Sequence, residues 1–160
     1  MKYILLFLLG LSISLFKVNV VKADDLSCLS EAVYFEARSE SFVAQLAVAN
    51  VILERVSSEK YPDDICSVVH QSRKWKGKPI RNKCQFSYWC DGKPETIANV
   101  EAYQQSVSAS DLALQGVILA QTEGATHYHA AYVIPYWATD DSFLTLGQVG
   151  NHIFYIDTRQ

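Results

Sequence analysis

Residues 32–40 read Ala32-Val33-Tyr34-Phe35-Glu36-Ala37-Arg38-Ser39-Glu40, and residues 42–56 follow as Phe42-Val43-Ala44-Gln45-Leu46-Ala47-Val48-Ala49-Asn50-Val51-Ile52-Leu53-Glu54-Arg55-Val56. The second run is apolar nearly all round, and a helix apolar on every side belongs at the centre of a core. Upstream, Leu29, Ala32 and Val33 keep mostly helical spacing, which predicts a first helix over 26–38. Ser39, Glu40 and Ser41 separate the two and supply cap residues for the second. Working outward, Tyr61-Pro62-Asp63-Asp64 is a turn, 65–71 a short third helix, and 72–83 a basic loop. Residues 96–121 read as two further helices, the second ending near Gly124. Residues 125–134 turn β-like, and 153–156 form a final strand. Helices first and a small sheet after them predict an α+β fold with a helical majority.

The chain has 160 residues, 49% of them hydrophobic and 19% charged, enough for one packed domain and too apolar for disorder. Met1-Lys2, the apolar run Ile4–Phe16 and Val21-Lys22-Ala23 have the layout of a secretory signal peptide, so 1–23 is expected to be removed and 24–160 to form the domain. Lys17 ends the apolar run short of the roughly 20 residues a spanning helix needs, although an uncleaved anchor is the rival. The leader holds three of the fourteen Lys and Arg and none of the acids, leaving eleven against seventeen, a net charge of −6. That balance argues against nucleic acid as partner. Cys28, Cys66, Cys84 and Cys90 all lie past the leader, as two disulfides in an oxidising compartment would require. Three pairings are open; Cys84 with Cys90 and Cys28 with Cys66 is the one favoured here, with no C-x-x-C pair to support zinc.

Glu31, Glu36 and Glu40 form the densest acidic group. Glu36 and Glu40 are four apart, so on one helix their Cβ atoms would lie about 5–6 Å apart. Repulsion and burial both raise a carboxyl pKa, and a general acid needs such a raise near neutral pH. The plainer reading is a pair of surface acids with Arg38 as counter-charge. Phe86, Ser87 and Trp89, together with Tyr128, His129 and Trp137, give aromatic faces with scattered polar groups, which suit a sugar groove as well as they suit a core. Trp89, beside Cys90 and Asp91-Gly92, is expected to be exposed. His127 and His129, two apart, could join His152 in a zinc site, although no H-E-x-x-H spacing is present. The six cations of 72–83 read either as a solvated loop or as a rim that attracts an anionic polymer.

Residues 32–40, Gln45 with 47–53, Tyr61-Pro62, 65–69, Cys84–Gly92, 125–130, 135–138 and 150–155 together resemble the SleB/CwlJ-like cell-wall hydrolases, in order and over nearly the whole chain past the leader. The resemblance implies a lysozyme-like fold related to lytic transglycosylases and cleavage of peptidoglycan between N-acetylmuramic acid and N-acetylglucosamine. It implies no metal and no cofactor. The family's E-A-R-G-E motif falls on 36–40, making Glu36 the essential acid and Glu40 its companion, with Ser39 in place of the motif glycine and Glu54-Arg55 in place of Asn-Arg. Phe86, Ser87, Trp89, Tyr128, His129 and Trp137 are the expected substrate-binding residues. The expected protein is a secreted or periplasmic monomer acting on glycan strands, without stable membrane insertion. A zinc-dependent N-acetylmuramoyl-L-alanine amidase and a non-catalytic glycan-binding module are the alternatives.

Overall fold

The computed structural model describes residues 23–159, so the expected signal peptide, 1–23, lies outside the described residues apart from Ala23. Helix α1 (Ala23–Ala37), α2 (Phe42–Ser57), α3 (Ile65–Val69) and α4 (Val100–Leu114) form the larger layer. Strands β1 (Ser72–Trp75) and β2 (Lys78–Cys84) make an antiparallel hairpin, and β3 (His127–Ala130), β4 (Phe143–Val149) and β5 (His152–Asp157) make an antiparallel sheet in the order β3-β5-β4. No helix among the described residues is long and apolar enough to cross a membrane.

Helix α2 starts because the Ser41 hydroxyl accepts from the Ala44 N–H, satisfying one of the donors that a first helical turn leaves unpaired. Val48, Ala49 and Ile52 are fully buried against α1, α3 and α4, while Ala47 and Val51 meet Phe154 and Ala125 from the sheet side. Each large aliphatic group so buried contributes about 1.5–3 kcal/mol. Two buried amides on this helix are satisfied rather than orphaned. Gln45 accepts from Ser106 on α4, and Asn50 donates to the Val117 carbonyl while accepting from the Leu119 N–H and Thr122 hydroxyl. Asn50 therefore pins the segment after α4, which leads into β3. Disulfides join Cys28 to Cys66 and Cys84 to Cys90, the pairing favoured from the sequence.

Three expectations need correction. The basic stretch is a hairpin turned by Lys76 and Gly77, both at positive φ (49° and 79°). Its strand pattern is invisible to hydrophobic periodicity because nearly every side chain on it is exposed. One helix, not two, occupies 96–121, closing at Gly116 with φ 90°. Strand β4 was not anticipated.

Candidate active site

Helix α1 carries Glu36 one residue before its end, and helix α2 carries Arg55 in its last turn. Strand β3 lies across from them, with the loop segment Gln85-Phe86 and the one-turn 3-10 helix Tyr136–Thr139 completing the wall. Between these elements is a cavity of about 370 Å³, bordered by Glu36, Arg55, Phe86, Tyr128, His129 and Trp137 together with Gln85, His127, Ala130, Tyr132 and His152. Glu36 is the one carboxyl side chain among them.

Burial holds the Glu36 carboxyl above its ordinary value of 4.5, opposed by the Tyr128 hydrogen bond and the Arg55 charge. The Tyr128 hydroxyl donates to Glu36 Oε2 at 3.2 Å. Tyr128 is pushed well above the usual phenol range by burial and by the Glu36 charge, so it stays a donor. Arg55 is buried, and its Nε donates to the Thr126 carbonyl at 2.7 Å. Its guanidinium lies 5.4 Å from the Phe86 ring centre and 5.3 Å from that of Tyr61, and Nη1 is buried without a partner among the described residues. A buried cation with a spare donor beside a carboxyl favours the carboxylate once it forms, so the site opposes ionisation by burial yet tolerates it by charge.

The antiparallel register sorts β3. His127 and His129 pair with Tyr155 and Ile153, whereas Tyr128 and Ala130 pair with Phe154 and His152. Cross-strand partners share a face, so His152 stands on the opposite face from His127 and His129. All three histidines border the cavity, but no group of three His, Cys, Asp or Glu among the described residues is placed to hold a metal. His129 Nε2 meets the Tyr155 hydroxyl at 2.9 Å, and its ring stacks on Tyr155 while Trp137 stands edge-on to both. Burial, aided by the Arg55 charge, lowers His127 to about 4, so it is neutral at physiological pH.

Other expected residues lie elsewhere. Glu40 does not share a helical face with Glu36: α1 ends at Ala37, and the Glu40 carboxylate instead accepts from the Asn151 backbone N–H (3.2 Å) and side-chain amide (2.8 Å) in the β4–β5 turn. Ser39 needs no left-handed conformation, since the non-glycine residues at positive φ among the described residues are Lys76 and Asn82. Ser87 borders a separate depression with Phe35, Arg38, Tyr88 and Lys93. Trp89 is half-buried and stacked on His70, with 3.7 Å between ring centres, instead of being exposed. Arg55 and Tyr132 were not among the expected site residues, and His127 was expected only as a possible zinc ligand. A lone arginine at a helix end carries no sequence signal that it will be buried.

A family model described as Cell Wall Hydrolase matches residues 39–155. The chain belongs to the cell wall hydrolase family. The spore cortex-lytic enzyme of Halalkalibacterium halodurans is 44% identical over 48 residues, 30% of this chain and 14% of that protein. The Bacillus cereus spore cortex-lytic enzyme is 38% identical over 55 residues, 34% of this chain and 21% of that protein. The matches thus span only 14% to 21% of these curated relatives. Two solved structures align far more completely. The catalytic domain of the germination-specific lytic transglycosylase SleB from Bacillus anthracis has a TM-score of 0.65 at 25% identity, covering 86% of this chain and 98% of that one. The SleB catalytic domain of Bacillus cereus has a TM-score of 0.61, also at 25% identity, covering 86% and 93%. This cell wall hydrolase therefore has the mainly helical α+β fold expected of a lytic-transglycosylase-like domain.

Proposed function

We propose that this chain cleaves the glycosidic bond between N-acetylmuramic acid and N-acetylglucosamine in peptidoglycan, as a lytic transglycosylase with Glu36 as its single acid–base group. One observation carries the reading: Glu36 is a carboxyl held above its ordinary range at a cavity whose other lining residues bear no acid. A two-carboxylate glycosidase needs its acids about 5–5.5 Å apart or wider, flanking the sugar. Glu40 instead spends its carboxylate on Asn151. A single acid must then be helped by the substrate.

The protonated Glu36 gives its proton to the glycosidic oxygen as the bond from muramic acid C1 breaks. The acetamide oxygen of the same sugar bonds to C1 and takes up the positive charge. Glu36, now a carboxylate held by Tyr128 Oη–H and the Arg55 charge, accepts the proton of the O6 hydroxyl. O6 then bonds to C1, displaces the acetamide and closes a 1,6-anhydro ring. Phe86 and Arg55 form one wall, while Trp137 with the His129–Tyr155 stack offers aromatic faces to the sugars. Glu40 is assigned a positioning role, fastening the β4–β5 turn beside the first turn of α2. The substrate partner is the glycan strand, met outside the cytoplasmic membrane by an exported monomer.

Digestion of purified peptidoglycan followed by mass spectrometry tests this. Wild type should release anhydro-muramyl products, one water lighter than hydrolytic ones, and Glu36→Gln should release none. Products that carry the added water would assign hydrolysis; turnover surviving Glu36→Gln would reject Glu36. The amidase alternative lacks support in the site, where no group of three His, Cys, Asp or Glu among the described residues is placed to hold a metal.

A further inference from the structure

A second cavity, about 420 Å³, opens at the base of the β1–β2 hairpin and is lined by Gln71, Ser72, Arg73, Asn82, Lys83 and Gln85 beside Cys84. Gln85 also borders the Glu36 cavity, so one side chain separates the two spaces. The connection is short and firm: β2 ends at Cys84, which is bonded to Cys90, and the Gln85 N–H donates to the Gln71 carbonyl at 2.9 Å.

Two features of this recess point to a ligand. Gln71 Oε1 and Ser72 Oγ are buried with no hydrogen-bond partner among the described residues, and orphaned polar atoms are rare enough in folded proteins to need a reason. Gln71 Oε1 can only accept, which suits an amide N–H. The second feature is charge. Residues 72–83 hold six Lys and Arg and no acid, whereas the rest of the chain beyond the leader holds five against seventeen acids. Arg81 is used locally, its Nε donating to the Asp91 carbonyl at 3.0 Å. Among the described residues the side-chain ion pairs are made by Lys60, Lys93 and Arg159. Arg73 and Lys83 stand exposed on the rim of the recess, with Lys74, Lys76 and Lys78 beyond them. Like charges concentrated on one arm of an acidic protein raise the local concentration of an anion.

An amide acceptor beside two cations fits a short peptide with free carboxylates, and its placement next to the glycan cavity says where that peptide is attached. We propose that the recess binds the acidic stem peptide carried by the muramic acid seated at Glu36. This rests on the glycosidase reading above, and deepens it: the substrate is peptide-bearing rather than bare glycan. The backbone N–H groups of the stem pair with Gln71 Oε1, and its carboxylates with Arg73 and Lys83.

The test uses the full mature chain carrying Glu36→Gln, so that binding is read without turnover. Its affinity is measured for intact sacculi and for sacculi stripped of stems by an amidase, with and without Arg73→Gln plus Lys83→Gln. Exposed contacts of this kind, taken together with the amide pairing, should make intact sacculi bind about tenfold tighter than stripped ones. The double substitution should remove that difference while leaving stripped sacculi bound as before, and free stem peptides should compete. Raising salt from about 0.05 to about 0.5 M should weaken binding to intact sacculi alone. Equal affinity for both sacculi, or no effect of the double substitution, overturns the proposal. So does equal binding to vesicles of anionic phospholipid, which would assign the hairpin to a lipid surface. Melting temperatures confirm that the substituted proteins are folded. A wild type that binds intact sacculi preferentially but cleaves neither would sink the glycosidase reading and leave stem recognition standing.

Discussion

Replacing Tyr128 by Phe removes a single oxygen from the site while keeping the ring that packs against His152 and Phe154. That oxygen donates to Glu36 Oε2 at 3.2 Å, slightly long for an O–H···O bond. A hydrogen bond to a charged acceptor contributes about 1.5–3 kcal/mol, and the length places this one near the lower end. At about 1.4 kcal/mol per pKa unit, its loss raises Glu36 by about one unit. The sign follows from which form is favoured: Tyr128 stabilises the carboxylate and lowers Glu36, so its removal moves the acid further up. Release of soluble muropeptides, followed across pH for wild type and Tyr128→Phe, reads this directly. The alkaline limb of kcat/KM, where Glu36 loses its proton, should move up by about one unit. Peak turnover should fall by about tenfold or less, because the carboxylate left after proton transfer loses the same bond. An alkaline limb that stays in place or moves down would show that Tyr128 does not hold Glu36.

Other perturbations have equally defined outcomes. Gly150 has φ +58°, and a Cβ there would lie 2.7 Å from Ala44 Cβ and 2.8 Å from Glu40 Oε2; Gly150→Ala should cost about 2 kcal/mol or more, lowering Tm by at least about 4 °C, and an unchanged Tm would contradict this close packing of the β4–β5 turn. The Cys28–Cys66 bridge spans 38 positions, for which chain entropy gives about 4 kcal/mol; Cys28→Ser with Cys66→Ser should lower the urea midpoint and raise the m-value, because the unbridged denatured chain exposes more surface, and an unchanged midpoint would refute this. His127 is held down to about 4 by burial and then by Arg55, against an ordinary 6.5, so its neutral form belongs to the folded state. The stability it contributes is complete above about pH 6.5 and is lost as pH falls toward 4; His127→Gln should flatten the fall in Tm between pH 7 and pH 4, and parallel curves would refute the assignment.

The helical half of the fold is plain in the sequence for a physical reason. The middle of α2, from Ala44 to Ile52, is buried on every side, so its composition gives its place and Ser41 marks its start, while α1 follows from its apolar spacing. The β1–β2 hairpin escapes notice because both strands face solvent and its turn is Lys76-Gly77 rather than an Asn-Gly pair. Strand β4 hides behind an irregular register between Thr145 and Gly147, which breaks the alternation that marks a strand. At the site, Glu36, Phe86, Tyr128, His129 and Trp137 reach one cavity from four separate segments. Ser87 and Trp89 do not, because the 3-10 turn closed by Cys84–Cys90 directs them away from the cavity. Arg55 could not be read as a site residue: what makes it one is the pair of rings beneath it and the Thr126 carbonyl, 71 positions away.

Glu36 can serve as the acid only if its carboxyl holds a proton more tightly than a carboxyl in water does. Titration of the Glu36 side-chain carboxyl carbon by NMR in the mature chain measures this without substrate. A midpoint clearly above 4.5 agrees with the burial that surrounds it. A midpoint at or below that value would mean that Glu36 is already an anion at working pH, and no proton would be held there for the glycosidic oxygen.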